Sequence, residues 1–98
     1  MKRIIKKLGK AFDAMNDAGI FARTNFWCCQ TCAINAIPDG VTDYCFYHRQ
    51  DTDDLEDNGS CYLSFGGDAA KIIKILEAHD IVVRWSGKVA ERIYVSEK

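Results

Sequence analysis

The sequence predicts an α+β domain in which a mostly antiparallel, four-stranded sheet forms two layers with helices packed on one face. Two observations predict this fold class. Apolar residues recur at helical spacing in three segments, and four short runs rich in aromatic and β-branched residues lie between turn signals. The order of these elements is helix, short helix, two strands, helix and two strands, which is typical of helices that cover a mainly antiparallel sheet.

The helical patterns differ in length. Residues 2–18 have the longest, with apolar positions three and four residues apart and lysines between them. Residues 29–37 predict a short helix that ends at a Pro-Asp-Gly turn, although a strand that runs into a knuckle turn is an alternative. Residues 69–79 predict a third helix, and Asp68 is suited to cap its start.

Between the first two predicted strands lies a short acidic segment. Asp51 is suited to be the N-cap of a helical turn there, with Asp54 three residues later as in a capping box, and Asn58-Gly59 ends it. The strands themselves are expected at residues 42–49, 61–65, 81–85 and 92–95.

Length and composition describe a single domain over residues 1–98, with 28% charged and 48% hydrophobic residues. The formal net charge of −1 gives no reason to expect a direct nucleic-acid partner. Because no apolar run approaches about 20 residues, no membrane partner is expected, and lysines interrupt the apolar N-terminus where a secretory signal would be unbroken. Five cysteines, an odd number, make a poor disulfide framework, so a reducing, cytoplasmic location is expected.

Four motifs occur in a fixed order: Cys28-Cys29-x-x-Cys32, Phe46-Tyr47-His48-x-Gln50-Asp51, Tyr62-Leu63-x-Phe65-Gly66 and Arg92-Ile93-x-Val95. With this combination the chain resembles an uncharacterised bacterial domain-of-unknown-function family that carries CCxxC, FYHxQD, YLxFG and RIxV motifs. The resemblance spans most of the chain from Asn25 onward. It implies a shared fold and little about activity, and it implies an apolar residue in other members where this chain has Cys45.

The spacing of cysteine and histidine gives a candidate metal site. Cys29 and Cys32 are followed, after twelve residues, by Cys45 and His48, which resembles the two ligand pairs of a zinc ribbon. Two features oppose this interpretation. Side chains alternate along a strand, so Cys45 and His48 would face opposite sides, and neither pair has the glycine that usually lets a knuckle turn back. The competing explanation is that these cysteines pack in the core.

A thiol enzyme is a further alternative. A thiolate from Cys28, Cys29 or Cys32, activated by His48 and oriented by Asp51, would form a nucleophilic unit. The surrounding region is acidic, which raises rather than lowers the pKa of a thiol. We therefore expect a non-catalytic protein without a cofactor, and keep the zinc-stabilised binding module and the thiol enzyme as alternatives.

Charge is unevenly distributed along the chain. Seven of the fourteen acidic residues lie between Asp39 and Asp57, and Arg49 is the only basic residue among them. Solvation on an exposed loop and a docking face for a basic partner explain this cluster equally well. The candidate partner-binding residues are Asp51, Asp53, Asp54, Glu56 and Asp57.

These features predict a small intracellular protein that acts by protein–protein contact, as a regulator or inhibitor. One such candidate is an anti-defence protein of a phage or mobile element, which blocks a nucleic-acid-binding complex of the host. The expected partner is a protein with a basic surface.

Overall fold

A computed structural model describes residues 3–97 of the chain. In this part, helices and strands follow one another as α1 (Arg3–Asp17), β1 (Phe21–Arg23), α2 (Gln30–Ala36), β2 (Tyr44–Phe46), α3 (Arg49–Asn58), β3 (Ser60–Gly66), α4 (Ala69–Ala78), β4 (Val82–Arg84) and β5 (Ile93–Ser96). The three predicted helices are present, and Lys2, the first residue of the predicted first helix, lies outside the described residues. The segment predicted over residues 29–37 contains a helix at residues 30–36 and not the alternative strand and knuckle.

The strands of residues 3–97 form one mixed sheet in the order β1-β2-β3-β5-β4. β1 runs parallel to β2, whereas the other neighbouring pairs are antiparallel. This corrects the expected sheet, which had four strands and was mostly antiparallel: β1 adds a fifth strand, and its parallel pairing makes the sheet mixed. β5 lies inside the sheet, between β3 and β4, so the last strand in sequence is not an edge.

β1 is the strand that the sequence pattern did not predict. It has three residues, too few to show an alternating pattern. The side-chain amide of Asn16 in α1 holds its outer side: Nδ2 donates to the carbonyl oxygens of Phe12 and Ala22 at 3.0 Å, and Oδ1 accepts the Ala22 N–H at 3.1 Å. A helix side chain therefore supplies hydrogen bonds that a further strand would otherwise make.

The main core lies between the sheet and helices α1, α3 and α4. In the first half of β3 the side chains alternate as expected for a half-buried strand, with Cys61 and Leu63 buried and Tyr62 exposed. The large apolar side chains of this core include Ile4, Leu8, Phe12, Met15, Tyr47, Leu55, Leu63, Ile72, Leu76, Ile93 and Val95. α2 contributes none of its residues to this cluster, and its buried residue is Ala33. No helix within residues 3–97 has both the length and the apolar character needed to cross a bilayer.

The start of α3 differs from the prediction. His48, not Asp51, is the N-cap, and Asp51 is the third helical residue, where its Oδ2 accepts the backbone N–H of His48 at 3.1 Å. The strand predicted over residues 42–49 is shorter, since β2 spans Tyr44–Phe46 and α3 already begins at Arg49. α3 ends as predicted, since Gly59 takes the left-handed conformation (φ +72°) that favours glycine after a helix.

Carboxylates satisfy the backbone at the turn before α4. Oδ1 of Asp43 accepts the N–H of Asp68 at 3.3 Å, and Oδ1 of Asp68 accepts the N–H of Lys71 at 3.1 Å, which makes Asp68 the predicted N-cap. Gly67 between them has φ +84°, and a Cβ atom at this residue would overlap the Asp43 carboxylate. Glycine is thus required here both by backbone conformation and by space.

Candidate functional site

The five candidate partner-binding residues lie in two different environments. Asp51 is only 4% exposed, whereas Asp53, Asp54, Glu56 and Asp57 are exposed. At about 100° per residue, α3 directs Asp51 and Leu55 inward and spreads the other four carboxylates over an outer arc of about 160°. Asp51 therefore does not belong to the exposed surface. We call the remaining four residues, Asp53, Asp54, Glu56 and Asp57, the acidic face.

Asp51 forms an ion pair with a residue far away in the sequence. Its two carboxylate oxygens accept hydrogen bonds from the guanidinium of Arg92, one of them at 3.2 Å from Nη1 and the other from Nη2. Arg92 also donates from Nε to Ser64 Oγ at 2.9 Å and from Nη2 to the carbonyl of Tyr62 at 2.7 Å. A two-pronged arginine–carboxylate pair is strong and directional, so Arg92 ties the start of α3 to β3.

His48 completes this cluster without reaching a thiol. Its Nε2 lies 3.3 Å from Oδ2 of Asp51, and its buried Nδ1 has no hydrogen-bond partner among residues 3–97. A thiol enzyme of the kind considered above needs a hydrogen bond between the imidazole and a cysteine sulfur. No such hydrogen bond is present among residues 3–97, and the contacts of His48 with Asp51 lie at the start of α3.

The predicted zinc ligands are not brought together. Cys45 lies on β2 in the main core, fully buried, and burial raises the pKa of its thiol and of the neighbouring buried thiol of Cys61. The structure separates Cys45 and His48 from the other two residues of the set because β2 places Cys45 inside the sheet and His48 caps α3.

Cys29 and Cys32 instead meet Cys28. The Sγ atoms of these three residues lie within 4.8 Å of one another, the only such group of three or more potential metal ligands in residues 3–97. The backbone N–H of Cys32, by hydrogen bonding, lowers the pKa of the Cys29 thiol. The side chains of Cys28 and Cys29 raise the pKa of Cys32 to about 11. We call Cys28, Cys29 and Cys32 the thiol cluster.

Comparison with known proteins identifies the family. A family described as "Domain of unknown function (DUF6891)" matches residues 3–98, nearly the whole chain. The chain belongs to the DUF6891 family. The resemblance to an uncharacterised domain family is therefore confirmed. No curated protein and no solved structure matches significantly.

Two features of this DUF6891 domain were missed by the sequence prediction. Arg92 was assigned only to a strand, because nothing in a single sequence links it to Asp51, 41 residues away. Trp27, which no sequence pattern singled out, is 56% exposed and has φ +65°, a conformation that bulky residues rarely adopt. Cys32, Asn35 and Ala36 line a shallow surface depression together with Trp27. The adjacency of Trp27 to the CCxxC motif was the available signal.

Proposed function

We propose that this domain acts without catalysis, by binding a protein partner with a basic surface through the acidic face of α3. The observation that carries the proposal is that none of Asp53, Asp54, Glu56 and Asp57 forms a salt bridge within residues 3–97. All four are exposed. Their charge is therefore available to a partner, unlike that of Asp51.

The position of these carboxylates works against the stability of α3. Asp53 and Asp57 are four residues apart, and like charges at this spacing repel across one helical turn. Glu56 and Asp57 lie in the last turn, where the helix dipole favours cations, and no basic residue is present there. Each effect costs a few tenths of a kcal/mol. A partner that supplies cations would offset this cost, which supports a binding role over passive solvation.

A basic protein surface is the partner chemistry that suits four carboxylates on one helix. Such charge complementarity speeds encounter and selects the docking register more than it adds affinity. A regulator or inhibitor that covers a nucleic-acid-binding surface suits this chemistry, because the carboxylates present negative charge where phosphates would otherwise bind. We place the protein in a reducing compartment, the cytoplasm, which suits its five free cysteines.

Reversing the charge of the acidic face tests the proposal. The triple variant Asp53→Lys, Asp54→Lys, Asp57→Lys is expected to fold with little change in stability, because it exchanges one like-charge pair at positions 53 and 57 for another and places a cation near the helix C-terminus. It is expected to lose partner capture from the source cells, measured by quantitative mass spectrometry, while wild-type capture falls as salt concentration rises.

A second triple variant, Asp13→Lys, Asp17→Lys, Glu77→Lys, is the matched control because it changes the net charge by the same amount at exposed positions outside α3. The control variant should retain capture. If both variants capture the same partners as the wild type, the acidic face is not the binding site. If both lose them, net charge rather than this face governs binding.

A further inference from the structure

We propose that the thiol cluster, Cys28, Cys29 and Cys32, is a three-thiolate site for a thiophilic closed-shell metal ion, Zn²⁺ or Cu⁺. This set differs from the zinc-ribbon set expected from spacing, since it contains neither Cys45 nor His48. It also lies apart from the acidic face and does not depend on the proposed docking function.

The exposure of these thiols is the first observation. Free cysteine is among the most often buried residue types. Cys45 and Cys61 follow this rule, whereas Cys28 and Cys32 are exposed and Cys29 is half-buried. Core packing therefore explains the first pair but not the cluster, since no residue of α2 belongs to the main core.

The distances between the sulfur atoms are the second observation. A zinc ion bonded to sulfur at about 2.3 Å holds tetrahedral ligands about 3.8 Å apart. The three Sγ atoms already lie within 4.8 Å of one another, so a contraction of about 1 Å at most brings them into bonding range of one ion. Thiolates are the ligands that Zn²⁺ and Cu⁺ prefer among protein side chains.

Local structure explains how the sequence brings the sulfurs together. Cys29 is the N-cap of α2 and Cys32 is its third helical residue, so one helical turn places both on the same side. Cys28 precedes them in a segment pinned to the start of α3, where the N–H of Phe26 donates to Tyr47 O at 2.8 Å and the N–H of Arg49 donates to Trp27 O at 3.0 Å.

The backbone before the cluster is strained. Asn25 (φ +48°) and Trp27 (φ +65°) both lie in the left-handed region, which is unfavourable for a bulky residue such as Trp27. Strain of this kind persists where the surrounding structure imposes it, and it concentrates at ligand sites. Here it turns the chain immediately before Cys28. Three protein ligands leave the fourth position of a tetrahedral ion open to solvent or to an exchangeable ligand.

Metal titration of the full chain tests the site. The protein is reduced, freed of metal and kept anaerobic, then titrated with Zn²⁺ against a chromophoric chelator and, separately, with Cu⁺ against a Cu⁺-specific chelator. We expect one ion per chain in at least one of the two arms, with Co²⁺ giving the sulfur-to-metal charge-transfer absorption of three thiolates. Fluorescence of Trp27, which shares a surface depression with Cys32, should change in step.

Single substitutions locate the ligands. Cys28→Ser, Cys29→Ser and Cys32→Ser should each weaken binding by more than about 100-fold, beyond what loss of an outer-shell partner costs. Circular dichroism should show that these surface variants remain folded. Cys45→Ala, which removes the buried thiol, should bind as the wild type does. Binding to neither ion, serine variants that bind normally, or an equal loss in Cys45→Ala would each overturn the site.

Discussion

Replacing Asp51 with alanine is expected to lower the free energy of unfolding by about 3 kcal/mol, even though the residue belongs to a predominantly acidic segment. Removing one partner of a buried ion pair typically costs about 3–5 kcal/mol, because the other charge is left without compensation. The lower end applies since a quarter of the Arg92 side chain is exposed. The substitution also removes the acceptor for the His48 N–H at the start of α3. Urea denaturation measures the change.

Two further variants separate the causes. Asp53→Ala, two residues along the same helix but exposed, should alter stability by less than about 0.5 kcal/mol. Asp51→Asn keeps an oxygen acceptor for the His48 N–H and loses the charge. Its free energy of unfolding should therefore lie between those of Asp51→Ala and Asp53→Ala. Equal stability of Asp51→Ala and Asp53→Ala would show that the Arg92 pair contributes nothing to the fold.

Substitution of Gly67 with alanine is expected to cost about 2–3 kcal/mol. The left-handed backbone contributes about 1–2 kcal/mol of this for a residue with a Cβ atom. The remainder comes from Asp43, whose carboxylate the new Cβ would displace, with loss of its hydrogen bond to the Asp68 N–H, about 1 kcal/mol. Thermal and urea denaturation should both report the loss.

Gly87 provides the matched control, because its backbone has nearly the same conformation (φ +89°) and no atom lies within 4 Å of an added Cβ. Gly87→Ala should therefore cost only the backbone contribution. The double variant Gly67→Ala, Asp43→Ala should relieve the overlap between the new Cβ and the carboxylate. It should not regain the hydrogen bond from the Asp68 N–H, because the Asp43 acceptor is absent. If Gly67→Ala and Gly87→Ala lower the free energy of unfolding by the same amount, the contact with Asp43 does not contribute to stability.

Sequence pattern predicted the long helices well, because α1 and α4 each repeat their apolar positions over several turns. It failed for β1, whose three residues are too few to show a period and whose pairing depends on Asn16 and β2. It also assigned Asp51 to the N-cap. Aspartate suits that position intrinsically, but the tertiary contact with Arg92 draws its side chain inward and leaves His48 to begin the helix.

The candidate site was predicted only in part. The exposed acidic residues of α3 follow from composition, since a charge run is usually solvated. Which cysteines meet does not follow from their spacing, because the decision depends on where Cys45 lies. Cys45 on β2 points to the sheet face that carries the main core, which leaves Cys29 and Cys32 with Cys28. The sequence spacing alone permits Cys29 and Cys32 to meet either Cys45 and His48 or Cys28.

The interior position of β5 has a consequence for the order in which the domain folds. β3 can pair with β2 as soon as residue 66 is available, but its other side waits for residues 93–96, more than thirty positions after β3 begins. β4 precedes β5 in the chain, and its strand partner in the sheet is β5. Closing so distant a pairing is slow, so we infer that β2 and β3 assemble first and that β4 and β5 join together in a late step.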